Sequence, residues 1–145
     1  MKRNGYNEKA LNDAYKNAHI AMQSISDLLP AVEDDALKCE LDKQFKGYEE
    51  QIDKISGFMS ENGVTEEDIN GFKKAMLWSS IKLKTAFNNG KNHIADMMIQ
   101  GTVMGINELS AMNNESENLD EDVKPFIADL LHLEESYEKR LRKFL

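Results

Sequence analysis

The chain has 145 residues, 41% of them hydrophobic and 30% charged, and a net charge of −8. That is chain enough for one domain, residues 1–145, with a continuous core, while the acidic field repels phosphate backbones and argues against nucleic acid as a partner. Eight Gly and two Pro (Pro30 and Pro125) leave few places to break a helix, which favours an all-α fold over a many-turned β fold.

The opening MKRNGYNEKA has no apolar run, so no signal peptide is expected. Nowhere do roughly 18 apolar residues run together, so no membrane span is expected either. A lone Cys39 cannot form an internal disulfide and suits a reducing cytoplasm. Between Lys38 and Glu40 it reads as a semi-buried, inert thiol.

Apolar spacing predicts a first helix over 7–30, with Leu11, Tyr15, Ala18, Met22, Ile25 and Leu29 at alternate steps of four and three. Ala14, Ala21 and Leu28 widen that stripe on one side. Glu33-Asp34-Asp35 is an acidic turn that places negative charge at the start of a second helix, 35–60. Leu37, Leu41, Phe45, Tyr48, Ile52, Ile55 and Met59 mark the inner face of this second helix. A short loop between two long amphipathic helices implies an antiparallel hairpin.

Asn62-Gly63 ends the second helix, and Thr65 is placed to cap a third over 66–87. A fourth helix is predicted over 92–113, with an inner face of Ile94, Met97, Met98, Gly101, Met104, Gly105, Leu109 and Met112. The polar stretch from Asn113 to Glu121 reads as the least ordered in the chain. A fifth helix follows over 122–144, with Pro125 in its first turn, where a missing N–H is tolerated. The basic run from Lys139 to Lys143 complements the negative end of that helix.

Together, His93-Ile94-Ala95-Asp96-Met97-Met98-Ile99-Gln100-Gly101-Thr102-Val103-Met104-Gly105-Ile106, the Leu11-Asn12-Asp13-Ala14-Tyr15 opening and the Trp78…Leu83-Lys84-Thr85 helix resemble an uncharacterised bacterial family of ferritin-like bundles, a domain of unknown function. The resemblance covers nearly the whole chain, from about Leu11 to Leu145. It implies a ferritin-like antiparallel four-helix bundle, two helix pairs joined by a long helical crossover (five helices in all), and no established activity. The periodicity agrees: the first, second, fourth and fifth helices have bundle length and stripes, and the third lies within the crossover.

Ferritin-like folds often hold two metals between Glu side chains and Glu-x-x-His pairs, but no Glu here has His three residues on. His93 falls too near a bundle end, and His132 off the inner stripe; His19 alone is near mid-height. Two carboxylates, Glu134 and Glu108, interrupt apolar faces, and a buried carboxylate must find a partner or a proton. The expected explanation is an internal hydrogen bond, Glu134 with the hydroxyl of Tyr15, Tyr48 or Tyr137. Rim exposure and an atypical metal site around Glu134, Glu108 and His19 are the alternatives.

Ile99, Val103 and Ile106 point away from the expected inner face of the fourth helix, and Leu77, Trp78 and Ile81 away from that of the third. Outward apolar rows mark contacts, and Trp is a frequent interface anchor, so Leu77, Trp78 and Ile81 are the candidate interface for a homodimer or a protein partner. No nucleophile set, phosphate-cradling loop or nucleotide fingerprint occurs. The expectation is a non-enzymatic structural or protein-interaction module, cytoplasmic, with no cofactor. A ferritin-like metal protein and a carrier of a small apolar ligand in the Met-lined interior are the alternatives.

Overall fold

The computed structural model describes residues 4–67 and 90–145. It is all-helical there, with four α-helices: α1 (Gly5–Leu28), α2 (Asp35–Glu61), α3 (Lys91–Asn114) and α4 (Lys124–Arg142). No strand occurs among the described residues, and none of their helices is long and apolar enough to cross a membrane. Of the predicted third helix, Glu66 and Glu67 are not helical, and the remainder lies outside the described residues, as do Leu77, Trp78 and Ile81.

Local chemistry sets the helix ends. The Asn4 side chain accepts from the Asn7 N–H, and Asp34 from the Leu37 N–H, each supplying a partner for an otherwise orphaned first-turn donor. Pro30 sits in a 3-10 turn, Leu29–Ala31, that closes α1. At the end of α2, Gly63 takes a φ of 68° and lets the Val64 N–H return to the Met59 carbonyl at 2.8 Å. Pro125 lies in the first turn of α4, and Lys139, Arg140 and Arg142 in its last.

α1 pairs with α2, and α3 with α4, and the two pairs pack on each other. Contacts between the pairs fix the directions. Tyr6 meets Glu115 while Asn17 meets Gly105, so α1 and α3 are antiparallel. Tyr48 meets Glu134 while Arg140 meets Glu40, so α2 and α4 are antiparallel too. With each short-looped pair antiparallel, α2 and α3 run the same way.

The core follows the predicted stripes, with one rotation. In α2, Leu37, Leu41, Tyr48, Ile55 and Met59 are buried, as their spacing requires. In α1 the stripe centres on Leu11, Ala14, Ala18, Ile25 and Leu28, with Tyr15, Met22 and Leu29 on its flank. In α3 the inner face is turned from the expected one: Ile99 is buried and Val103 and Ile106 pack against the core, whereas Gly101 is exposed and Met104 is 73% exposed. This helix is apolar on both sides, so its periodicity is weak; Ile94, Met98 and Leu109 keep their core positions, while Ile99, Val103 and Ile106 take the place of Gly101 and Met104.

The segment after α3 is ordered, contrary to its polar composition. It forms a 3-10 turn, Ser116–Asn118, and buries Leu119 and Val123. Asn7, fully buried, accepts from the Asp120 N–H at 2.7 Å and so ties this segment to the start of α1.

Candidate functional site

Glu134 is the one carboxylate among the described residues that is buried, at 1% exposure, and it lies at mid-bundle. Its position on α4 between Leu130 and Tyr137 makes it a core position of the apolar stripe, so helix geometry drives it inward whatever its charge. Each of the other helices supplies one residue around it. Tyr48 of α2 donates its hydroxyl to Glu134 Oε2 at 3.0 Å. Gly105 of α3 leaves the space the carboxyl fills: a Cβ built there would lie 2.8 and 2.9 Å from Oε1 and Oε2. Asn17 of α1 donates from Nδ2 to the Gly105 carbonyl at 3.2 Å.

Glu134 Oε1, by contrast, is buried without a hydrogen-bond partner among the described residues. Burial therefore dominates the carboxyl and pushes its pKa from 4.5 up to about 8; the Tyr48 hydrogen bond works against that rise and the charge of Glu108 adds to it. Burial, then the adjacent Glu134, holds the Tyr48 hydroxyl well above the usual tyrosine range. Tyr137, one turn further along α4, packs edge-on to Tyr48 with ring centroids 5.3 Å apart, and its hydroxyl end lies against Gly47 of α2. Two side chains of α4 thus enter two glycine gaps, one in each neighbouring helix.

The three candidate metal positions are not brought together. Glu108 is exposed rather than inner-facing, because the rotation of α3 carries it to the rim. Its carboxyl is raised by partial desolvation and by Asp13, with Lys9 and Lys16 opposing. His19 is half-buried on α1 and stands edge-on to Tyr15, ring centroids 4.7 Å apart. Among the described residues no group of three or more His, Cys, Asp or Glu side chains is placed to hold a metal ion. His132 is exposed, 3.6 Å from Glu135, and Cys39 is exposed rather than semi-buried.

Of the tyrosines considered for Glu134, Tyr48 is the one that bonds it. Sequence reasoning missed Asn17 and the role of Gly105. It also missed a set to which Asn17 belongs: Asn7, Asn12 and Asn17, all buried on α1. At about 100° per residue, each five-residue step turns roughly 140° round the helix. The three side chains consequently face different neighbours: Asn7 reaches Asp120, Asn17 reaches Gly105, and Asn12 joins both Thr65 and Glu67 beyond α2. A step of five matches no single face, which is why the pattern does not read as an inner stripe.

No protein-family model, curated protein or solved structure matches this chain. Its function therefore has to be argued from the site and the fold themselves.

Proposed function

We propose that this chain is a ferritin-like bundle acting as a structural or protein-interaction module, without a metal-centred reaction. The observation that carries the reading is the state of the mid-bundle, where a di-metal protein gathers carboxylates from all four helices. Here α1, α2 and α3 present Asn17, Tyr48 and Gly105, and Glu134, the one buried acid among the described residues, is engaged by Tyr48. Support for the ferritin-like part comes from helix direction. Since α2 and α3 run the same way, α2 ends and α3 begins at opposite ends of the bundle, the property that sets a one-crossover bundle apart from a simple up-and-down one.

Self-association is the second half of the proposal, and the sequence carries it, through Leu77, Trp78 and Ile81 in the stretch between α2 and α3. A reducing, cytoplasmic setting accords with an exposed, unpaired Cys39.

The test is metal content after anaerobic loading with iron(II), manganese(II) or zinc(II) and desalting, in wild type and Glu134→Ala. Neither protein is expected to retain stoichiometric metal. Retention in wild type that is lost in the variant overturns the reading and restores the metal-protein class. Light scattering at tens of micromolar tests the association, with a dimer expected for wild type and a monomer for Trp78→Ala. A monodisperse wild-type monomer with fully buried Trp78 fluorescence removes that half.

A further inference from the structure

We propose that Glu134 binds a proton in the folded bundle, carried on Oε1 and turned toward the amide oxygen of Asn17, and that the chain releases this proton on unfolding.

The geometry at Gly105 points to it. A carboxylate can only accept, and Oε1 lies buried with no described residue donating to it. Leaving such an oxygen bare forfeits its hydration without return. Protonation turns the same oxygen into a donor, and Asn17 Oδ1 lines the same gap as a candidate acceptor. The Asn17 amide has its orientation fixed by the bond from Nδ2 to the Gly105 carbonyl, which commits its other fork, Oδ1, to the carboxyl side. Oε1 and Asn17 Oδ1 both crowd the point a Gly105 Cβ would occupy, at 2.8 and 3.1 Å from it. A proton on Oε1 gives this gap a donor between two oxygens that otherwise only accept.

The surrounding charges favour the same state. α1 offers neutral Asn17, α2 offers the hydroxyl of Tyr48, α3 brings the negative charge of Glu108, and Tyr137 follows on α4. Among the described residues, none of the groups acting on the carboxyl is a cation that would hold it ionised.

The sign of the linkage follows. The folded carboxyl titrates near 8 and the unfolded one near 4.5. Below the lower value both forms are protonated and the group contributes no pH dependence. Between the two the folded state holds the extra proton, so stability falls as pH rises, by up to about tenfold in the folding equilibrium constant per pH unit. Above the higher value both forms are ionised and the dependence levels off.

Carbon-13 NMR titration of the glutamate carboxyls in wild type is the deciding experiment. One carboxyl is expected to stay protonated through neutral pH, and its signal to vanish in Glu134→Gln. Ionisation of every glutamate by about pH 6, as for unperturbed groups, overturns the proposal and needs no variant to be read. Urea unfolding supplies the second measurement: from about pH 5.5 to 8, wild type should lose at least tenfold in folding constant relative to Glu134→Gln, and parallel curves count against it. The position of the proton has its own test. Tyr48→Phe removes a donor to the ionised form and should raise the midpoint, whereas Asn17→Ala removes the acceptor of the protonated form and should lower it. Shifts of the same sign overturn the assignment to Oε1.

Discussion

Gly101 and Gly105 lie one turn apart on α3, and a methyl group added at each meets opposite surroundings. At Gly101 a Cβ finds nothing within 4 Å, so Gly101→Ala should gain close to the intrinsic helix preference of Ala over Gly, about 1 kcal/mol. At Gly105 the same methyl presses on both Glu134 oxygens and on Asn17 Oδ1, and the two side chains are tethered, Glu134 through Oε2 to Tyr48 and Asn17 through Nδ2 to the Gly105 carbonyl. Overpacking of that kind costs roughly 1–3 kcal/mol, which exceeds the helix gain. Urea unfolding of the two variants should therefore give shifts of opposite sign, and a stabilised Gly105→Ala would show that the carboxyl can leave its seat cheaply. Some of this was legible in the sequence. A carboxylate at an apolar-stripe position announces Glu134, because helix geometry fixes where a side chain starts. Its partner was not legible, since three tyrosines stood at comparable heights, and neither was the difference between the two glycines. A pair four residues apart reads as one close-packing face, and the rotation of α3 that separates them comes from packing against the other helices.

At the scale of elements, α1 is held to its neighbours by amides as well as by its apolar stripe. Asn12 is the best placed of them: its Nδ2 donates to the Thr65 carbonyl at 3.1 Å, and its Oδ1 accepts from the Glu67 N–H at 2.8 Å. Together these pin the chain leaving α2 against the flank of α1. Asn12→Ala removes both hydrogen bonds from the exposed Thr65 and Glu67, whose carbonyl and N–H water can then solvate, at a cost of about 0.5–1.5 kcal/mol for each bond. The loss should be local as well as global. Hydrogen exchange at Glu67 is expected to accelerate strongly, while amides in the middle of α2, such as that of Ile52, change only with the overall stability. Uniform change across both would mean that Asn12 serves the core alone. Helix positions and the two hairpins could be read from periodicity because Leu, Ile and Met recur at helical spacing in α1, α2 and α4. The ordering of the Asn113–Glu121 stretch could not, because it depends on Asn7, more than a hundred positions away, and on two isolated apolar residues, Leu119 and Val123.

Across the whole molecule two distinct effects make pH matter in the same direction, and salt separates them. The chain carries a net charge of −8, so its carboxylates repel one another at neutral pH, and lowering the pH toward the isoelectric point near 4.9 relieves that strain. Glu134 adds its own dependence, since a carboxyl whose folded pKa is raised stabilises the fold less as pH climbs from the unfolded value to the folded one. Both effects predict a higher Tm at mildly acidic than at mildly alkaline pH. General repulsion acts through solvent over distances comparable to the Debye length, about 10 Å at 0.1 M salt and 3 Å at 1 M, and is largely screened at the higher concentration. Burial of Glu134 is not an effect that salt can screen, because the carboxyl is only 1% exposed. In 1 M sodium chloride the pH dependence of Tm should therefore nearly disappear in Glu134→Gln and persist in wild type. If salt flattens both proteins equally, surface charge accounts for the whole pH response and the central carboxyl for none of it.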